Sequence, residues 1–252
     1  MIKTKRLPLE GLCNARDLGG FPALGGYTRF GVYVRSEVPR DLTEKDLAFL
    51  RAYGVTTSLD LRGPKESEDT PSRLKGAAGI DYRLCPMMDE AAAAGSEPHP
   101  EALDLMKMEW LPVYIGMCER GKGWTRSTLE LAAAAEGCVH FHCFTGKDRT
   151  GVFSALLLGL CGVDQRDIIG DYTLSMVNLR PFYEQMPLPN EEVGKNKKLM
   201  YTGFYRTGPD TMEGLLDHFR EKYGGVEGYV RACGVSDAVI QRIREKFIEP
   251  GE

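Results

Sequence analysis

A chain of 252 residues is long enough for one α/β domain with a substantial core and too short for more than two domains. With 42% apolar and 27% charged residues it has an ordinary globular composition, which excludes a disordered or fibrous chain. A formal net charge of −4 gives no general attraction to polyanions, so affinity for an anion must be local and no nucleic-acid partner is expected.

Taken in order, residues 1–8 carry charges but no apolar h-region, so no signal peptide is expected. Residues 7–36 read as irregular β. A hairpin or loop is expected over 21–24, between Gly19-Gly20 and Gly25-Gly26, and a strand from Val32 to Ser36. A helix follows over 44–53, with Thr43 as N-cap, Asp46 at N3, a Leu42–Leu47 staple and Gly54 as the stop. Residues 55–61 and 80–84 read as strands. The strand–helix–strand order predicts an α/β fold with a mostly parallel central sheet flanked by helices.

Residues 89–100 form a soft, alanine-rich segment, a candidate lid. Helices are expected over 101–119 and 125–136, then a short apolar strand ending at His142. Asp164 caps a helix reaching about 179. Residues 181–210, with Lys195, Lys197 and Lys198, are a second candidate lid; the lysines read as a solvated face or as a rim for an anionic headgroup. Helices capped by Asp210 and Ser236 complete the chain. No repeat or linker divides it, so residues 1–252 are expected to form a single domain.

The seven cysteines (13, 85, 118, 138, 143, 161, 233) show no metal-type pairing and suit free thiols in a reducing compartment. His140 and His142 alternate on a strand with no partner at zinc-motif spacing, so neither metal nor cofactor is expected. No stretch has the length of an integral membrane segment. The expected location is cytoplasmic, with export by a non-classical route left open.

The chemistry concentrates in His142-Cys143-Phe144-Thr145-Gly146-Lys147-Asp148-Arg149-Thr150-Gly151, a tight loop between an apolar strand and an apolar helix. Such a loop aims successive backbone N–H groups at one point, at the positive end of a helix dipole, and forms a phosphate-type anion site. Cys143, at that helix mouth, is expected to be a thiolate nucleophile. Arg149 offers a planar fork of donors matched to phosphate oxygens. Thr150 can donate to the sulfur, and Gly146 suits a position of positive φ. Phe144, Thr145, Gly146, Lys147 and Thr150 are the expected substrate-binding set. The pattern suits attack by sulfur followed by hydrolysis of a phosphocysteine.

The loop resembles the Cys-x5-Arg signature of the protein tyrosine phosphatase superfamily, in the form found in bacterial tyrosine/dual-specificity phosphatases with phosphoinositide-active members. Asn14-Ala15-Arg16-Asp17-Leu18-Gly19-Gly20, Val34-Arg35-Ser36, Asp60-Leu61-Arg62 with Glu66, and Gly224-Gly225-Val226-Glu227-Gly228-Tyr229 resemble that family's further motifs, in its order. The resemblance implies a phosphatase-like fold, a metal-independent phosphomonoesterase, and phosphorylated protein or phosphoinositide substrates. It also implies that Lys147 broadens the range towards phosphoinositides.

Asp60, Arg62, Glu66, Asn14, Arg16, Asp17, Asp171 and Tyr172 read as structural groups. His142 is expected to bond backbone and shape the loop. Two aspartates compete as general acid. Asp89 follows a strand at the first candidate lid. Asp148 lies within the loop, fixed one residue before Arg149, and is the expected acid. The alternatives to a phosphatase are a non-catalytic phosphate-binding module and a rhodanese-like sulfurtransferase.

Overall fold

A computed structural model describes residues 4–87, 109–181 and 208–251. Asp89, the candidate lid 89–100, most of the second candidate lid (182–207) and the first part of the expected 101–119 helix lie outside the described residues.

In chain order the elements begin with β1 (Arg16–Asp17), β2 (Pro22–Ala23), β3 (Gly26–Thr28), β4 (Tyr33–Ser36), α1 (Glu44–Tyr53), β5 (Val55–Asp60), α2 (Pro64–Asp69) and β6 (Asp81–Leu84). They continue with α3 (Trp110–Arg120), α4 (Lys122–Ala134), β7 (Cys138–His142), α5 (Asp148–Leu160) and α6 (Gln165–Asn178). The C-terminal part holds α7 (Pro209–Tyr223), α8 (Val226–Ala232), α9 (Asp237–Phe247) and β8 (Ile248–Pro250).

The main sheet has the order β1-β4-β7-β5-β6. β4, β7, β5 and β6 pair in parallel, and β1 adds an antiparallel edge. This is the expected mostly parallel α/β sheet. A small antiparallel sheet, β2-β3-β8, joins the N-terminal hairpin to the last strand.

Local chemistry explains the element ends. Thr43 and Asp46 form a complete capping box on α1, and Gly54 closes it at φ 97°. Asp164 caps α6 by accepting from the Arg166 N–H at 2.8 Å. The expected cap at Asp210 is corrected: α7 starts two residues earlier, with Pro209 at N1 and Gly208 at the N-cap. Proline's fixed φ and missing N–H suit the first helical position, and Asp210 falls in the first turn beside the dipole. α4 likewise starts at Lys122, three residues before the expected 125, because Gly121 serves as the joint with α3.

β7 is the central strand and is buried throughout. Its alternation sends Val139 and Phe141 into the larger core and Cys138 into the smaller one. His140 and His142 lie on the Cys138 side of the pleat, their rings 5.4 Å apart. α5 is buried from Thr150 to Leu158. Phe153 on α5 meets Phe141 and Trp124 edge-on at 4.9 and 5.9 Å. Each such pair adds about 0.5–1.5 kcal/mol beyond burial. These contacts fix the helix to the strand, and with it the loop between them.

Candidate active site

Residues 143–147 join the carboxyl end of β7 to the N-terminus of α5. Open α/β sheets characteristically bind ligands at this edge. Register brings Ser36 of β4, His142 of β7 and Asp60 of β5 to one level beneath the loop. Cys143 follows at once and is 1% exposed.

The loop is held from outside by its carbonyls. The Val38 N–H donates to the Phe144 carbonyl at 2.9 Å. Asn14 Nδ2 donates to the carbonyls of Thr145 and Gly146 at 3.2 and 3.3 Å, and Arg35 Nη2 donates to Gly146 at 2.8 Å. No peptide bond here is cis. In a trans peptide the N–H points opposite to the carbonyl. Pulling these three carbonyls outward therefore turns the N–H groups of Thr145, Gly146 and Lys147 the other way. Gly146 has φ +67°, and a Cβ there would stand 2.2 Å from the Ser36 carbonyl oxygen. No other residue fits that position.

Behind Asn14 and Arg35 lies a buried charge cluster. Asp171 accepts from Arg16 Nε at 2.9 Å and from Arg35 Nη1 at 2.6 Å, with all three side chains at most 1% exposed. Arg16 Nη1 also donates to Asn14 Oδ1 at 2.6 Å, which fixes the amide that grips the loop. Burial pushes the Asp171 carboxyl up, but the two arginine charges more than offset this and hold it at about 2. Within this triad one carboxylate therefore faces two guanidinium groups.

On the α5 side, Arg149 makes a bidentate pair with Glu66 of α2, at 2.5 and 2.8 Å. Glu66 is the N3 residue of α2 and accepts as well from the Gly63 N–H at 3.1 Å. Burial pushes Glu66 up, but the hydrogen bond and charge of Arg149 bring it below its ordinary value. Lys147 is buried, with Nζ 3.4 Å from Asp148 Oδ1 and 5.3 Å from the centroid of the Trp110 ring. Asp148 Oδ1 accepts from the Tyr114 hydroxyl at 2.5 Å. The Thr150 hydroxyl is buried without a hydrogen-bond partner among the described residues.

His142 Nδ1 donates to the Cys143 carbonyl at 3.0 Å, and its Nε2 lies 3.7 Å from Asp60 Oδ2. Burial pushes His142 down to about 4 although Asp60 pulls it up, so the ring is neutral near pH 7. Asp60 is engaged by Arg62 at 2.6 and 2.9 Å and by the Tyr82 hydroxyl at 2.6 Å.

The structure thus brings Cys143, Phe144, Thr145, Gly146, Lys147, Asp148, Arg149 and Thr150 into one loop and helix start. Asp89 lies outside the described residues. Asp60 and Arg62 form a buried pair, whereas Glu66, read with them as structural, reaches Arg149 directly. Tyr114 on α3 contacts Asp148, and nothing in the sequence pattern marked it. Among the described residues no cluster of three His, Cys, Asp or Glu could hold a metal, and no helix is long and apolar enough to cross a membrane.

A family profile described as "Tyrosine phosphatase family" matches residues 7–249. A tyrosine-protein phosphatase of Nostoc commune is 28% identical over 236 residues, covering 87% of this chain and 75% of that protein. The triple specificity protein phosphatase PtpB of Mycobacterium tuberculosis is 28% identical over an alignment of 271 positions, covering 94% of this chain and 96% of PtpB. Among solved structures, the core catalytic domain of the PP-IP phosphatase SIW14 from S. cerevisiae aligns with a TM-score of 0.39 at 17% identity, covering 78% of this chain and 96% of that one.

Proposed function

Because the chain belongs to the tyrosine phosphatase family, and is a protein tyrosine or dual-specificity phosphatase, we propose that it acts through a phosphocysteine intermediate on Cys143. The reading is supported above all by a buried cysteine at the mouth of α5, beside peptide groups whose carbonyls are all held outward. Family membership favours ester hydrolysis over the binding-module and sulfurtransferase alternatives.

In this mechanism the Cys143 sulfur attacks phosphorus and the bond to the leaving oxygen breaks. The loop N–H groups and Arg149 bind the three equatorial oxygens. Glu66 takes two of the five guanidinium donors and keeps the fork in plane. Asp148 gives its proton to the leaving oxygen. Water then attacks the phosphocysteine, Asp148 takes a proton back, and the S–P bond breaks. Thr150 serves at that point: its otherwise unpartnered hydroxyl donates to the departing sulfur.

The substrates in this reading are phosphotyrosine, phosphoserine or phosphothreonine in proteins, and phosphoinositides. Lys147 places a second cation beside the loop, against Trp110, where a polyanionic headgroup would gain from it. The name of the mycobacterial relative, a triple specificity phosphatase, supports a range wider than phosphotyrosine.

The test is turnover of an aryl phosphate, a phosphotyrosine peptide and a phosphoinositide in the presence of a metal chelator. The wild-type protein should hydrolyse all three. Cys143→Ser should lose at least about 10³-fold in kcat while still binding substrate. Retention of several per cent of activity by the serine protein would end the covalent mechanism, and failure on phosphoinositides alone would end that part of the substrate range.

A further inference from the structure

Tyr114 lies in the middle of α3 and is fully buried. A buried phenol hydroxyl needs partners, and here it has two. It lies 2.5 Å from Asp148 Oδ1 and 2.7 Å from the hydroxyl of Tyr172 on α6. The Tyr114 hydroxyl donates to Asp148 Oδ1. Its single proton spent there, Tyr114 accepts from Tyr172. The chain of hydrogen bonds therefore has a direction, Tyr172 to Tyr114 to Asp148.

The three helices that carry this chain are locked together. The Tyr114 and Tyr172 rings meet edge-on at 87° with centroids 6.1 Å apart. A Cβ at Gly151, one turn into α5, would stand 2.8 Å from Tyr172 Cδ2, so the glycine is what lets this ring approach. Burial, and then the Asp148 charge, raise the Tyr114 hydroxyl well above its ordinary value, so it remains a donor at any working pH.

The two contacts of Asp148 are not spread over its carboxylate. Both the Tyr114 bond and the Lys147 approach at 3.4 Å fall on Oδ1. A proton on Asp148 is then placed on Oδ2. We propose that Tyr114, backed by Tyr172, is the positioning residue of the general acid: it holds Asp148 through Oδ1 and assigns Oδ2 to carry the proton delivered to the leaving oxygen. The step balances simply. The Oδ2–H bond breaks, an O–H bond forms on the leaving group, and the new carboxylate charge is met by a hydrogen bond that strengthens as the charge appears. Water returns the proton during hydrolysis of the phosphocysteine.

The inference rests on Asp148 being the acid, and the experiment separates the two. The reading is the ratio of kcat on p-nitrophenyl phosphate, whose leaving group needs little protonation, to kcat on an alkyl phosphate, whose alkoxide must be protonated. Asp148→Asn should raise that ratio by about 10²-fold or more. Tyr114→Phe should raise it by about 10-fold, with KM within about 2-fold of wild type. Tyr172→Phe should raise it in the same direction by about 2–5-fold, because Tyr114 keeps its bond to Asp148.

If Asp148→Asn shifts the ratio and Tyr114→Phe lowers both substrates in equal proportion, or neither, Tyr114 has no positioning role and the inference falls alone. If Asp148→Asn leaves the ratio at its wild-type value, the acid lies elsewhere and both fall. Should Tyr114→Phe fail to fold, Tyr172→Phe decides: an unchanged ratio overturns the proposal, and a shifted one supports it.

Discussion

Arginine–carboxylate contacts stand on two sides of the same loop, and water treats them differently. Arg149 and Glu66 meet with 22% and 42% of their side chains exposed, whereas Arg16, Arg35 and Asp171 meet with 1% or less. An exposed pair contributes about 0–1 kcal/mol, because solvent screens it and can replace either partner. A buried one resists change, since removing a partner strands a charge without water. The same chemistry thus gives a fixed frame behind the loop and an adjustable clasp in front of it. The frame orients the peptide groups of the loop, and the clasp steadies the arginine that the proposed mechanism sets against substrate.

The frame should show the largest effect. Asp171→Asn leaves two buried guanidinium groups uncompensated and should destabilise the fold by about 3–5 kcal/mol in denaturant titration. The acid limb sharpens the assignment. Asp171 is held at about 2, below the ordinary carboxylate value of about 3.9, so its contribution is complete above pH ~4 and disappears as pH falls through ~2. The stability gap between wild type and Asp171→Asn should narrow over that interval. A gap that stays constant down to pH 2 would mean that Asp171 does not neutralise the arginines.

Next comes Arg149→Ala. Removing the front donor should lower kcat/KM by about 10²–10³-fold, the range found for single oxyanion-binding donors. Stability should change by less than about 1 kcal/mol. A stability loss like that of Asp171→Asn would erase the contrast between the two sites.

The smallest effect is expected from Glu66→Gln. The amide can still accept one hydrogen bond from Arg149 but loses the charge and the bidentate fit, so kcat/KM should fall about 3–10-fold with stability nearly unchanged. Added salt should weaken the wild-type pair and narrow that difference, as screening does for exposed charges. Equal effects at low and high salt would show that solvent does not screen the half-buried Glu66–Arg149 pair.

What the sequence revealed of this arrangement follows the range of each interaction. The loop was legible because strand, glycine turn and helix start are adjacent, and the α1 cap because Thr43 and Asp46 are three residues apart. The Glu66–Arg149 pair spans 83 residues, the Asn14 grip on Thr145 spans 131, and Tyr114 to Asp148 spans 34. No periodicity connects such partners, and Glu66 read as one more group in a charged cluster. At Asp210 the error had a local cause. Pro209 and Asp210 are both helix-start signals, and the proline's rigid ring set the boundary two residues earlier. β8 escaped notice because it follows α9 directly at Ile248, without a turn residue to announce it.

The outward grip on the loop carbonyls also sets an order of assembly. Its clamps come from residues 14 and 35, long since synthesised when the loop at 143–147 is made, but the carboxylate that neutralises those clamps is at 171. Such widely separated contacts form late and slowly, because the chain must lose its loop entropy before they are made. A nascent chain, or a fragment ending before α6, would carry the entire Cys-x5-Arg signature with its peptide groups unset. Cys143 is therefore written into the chain early, and its loop takes shape only when both sides of the sheet have closed around it.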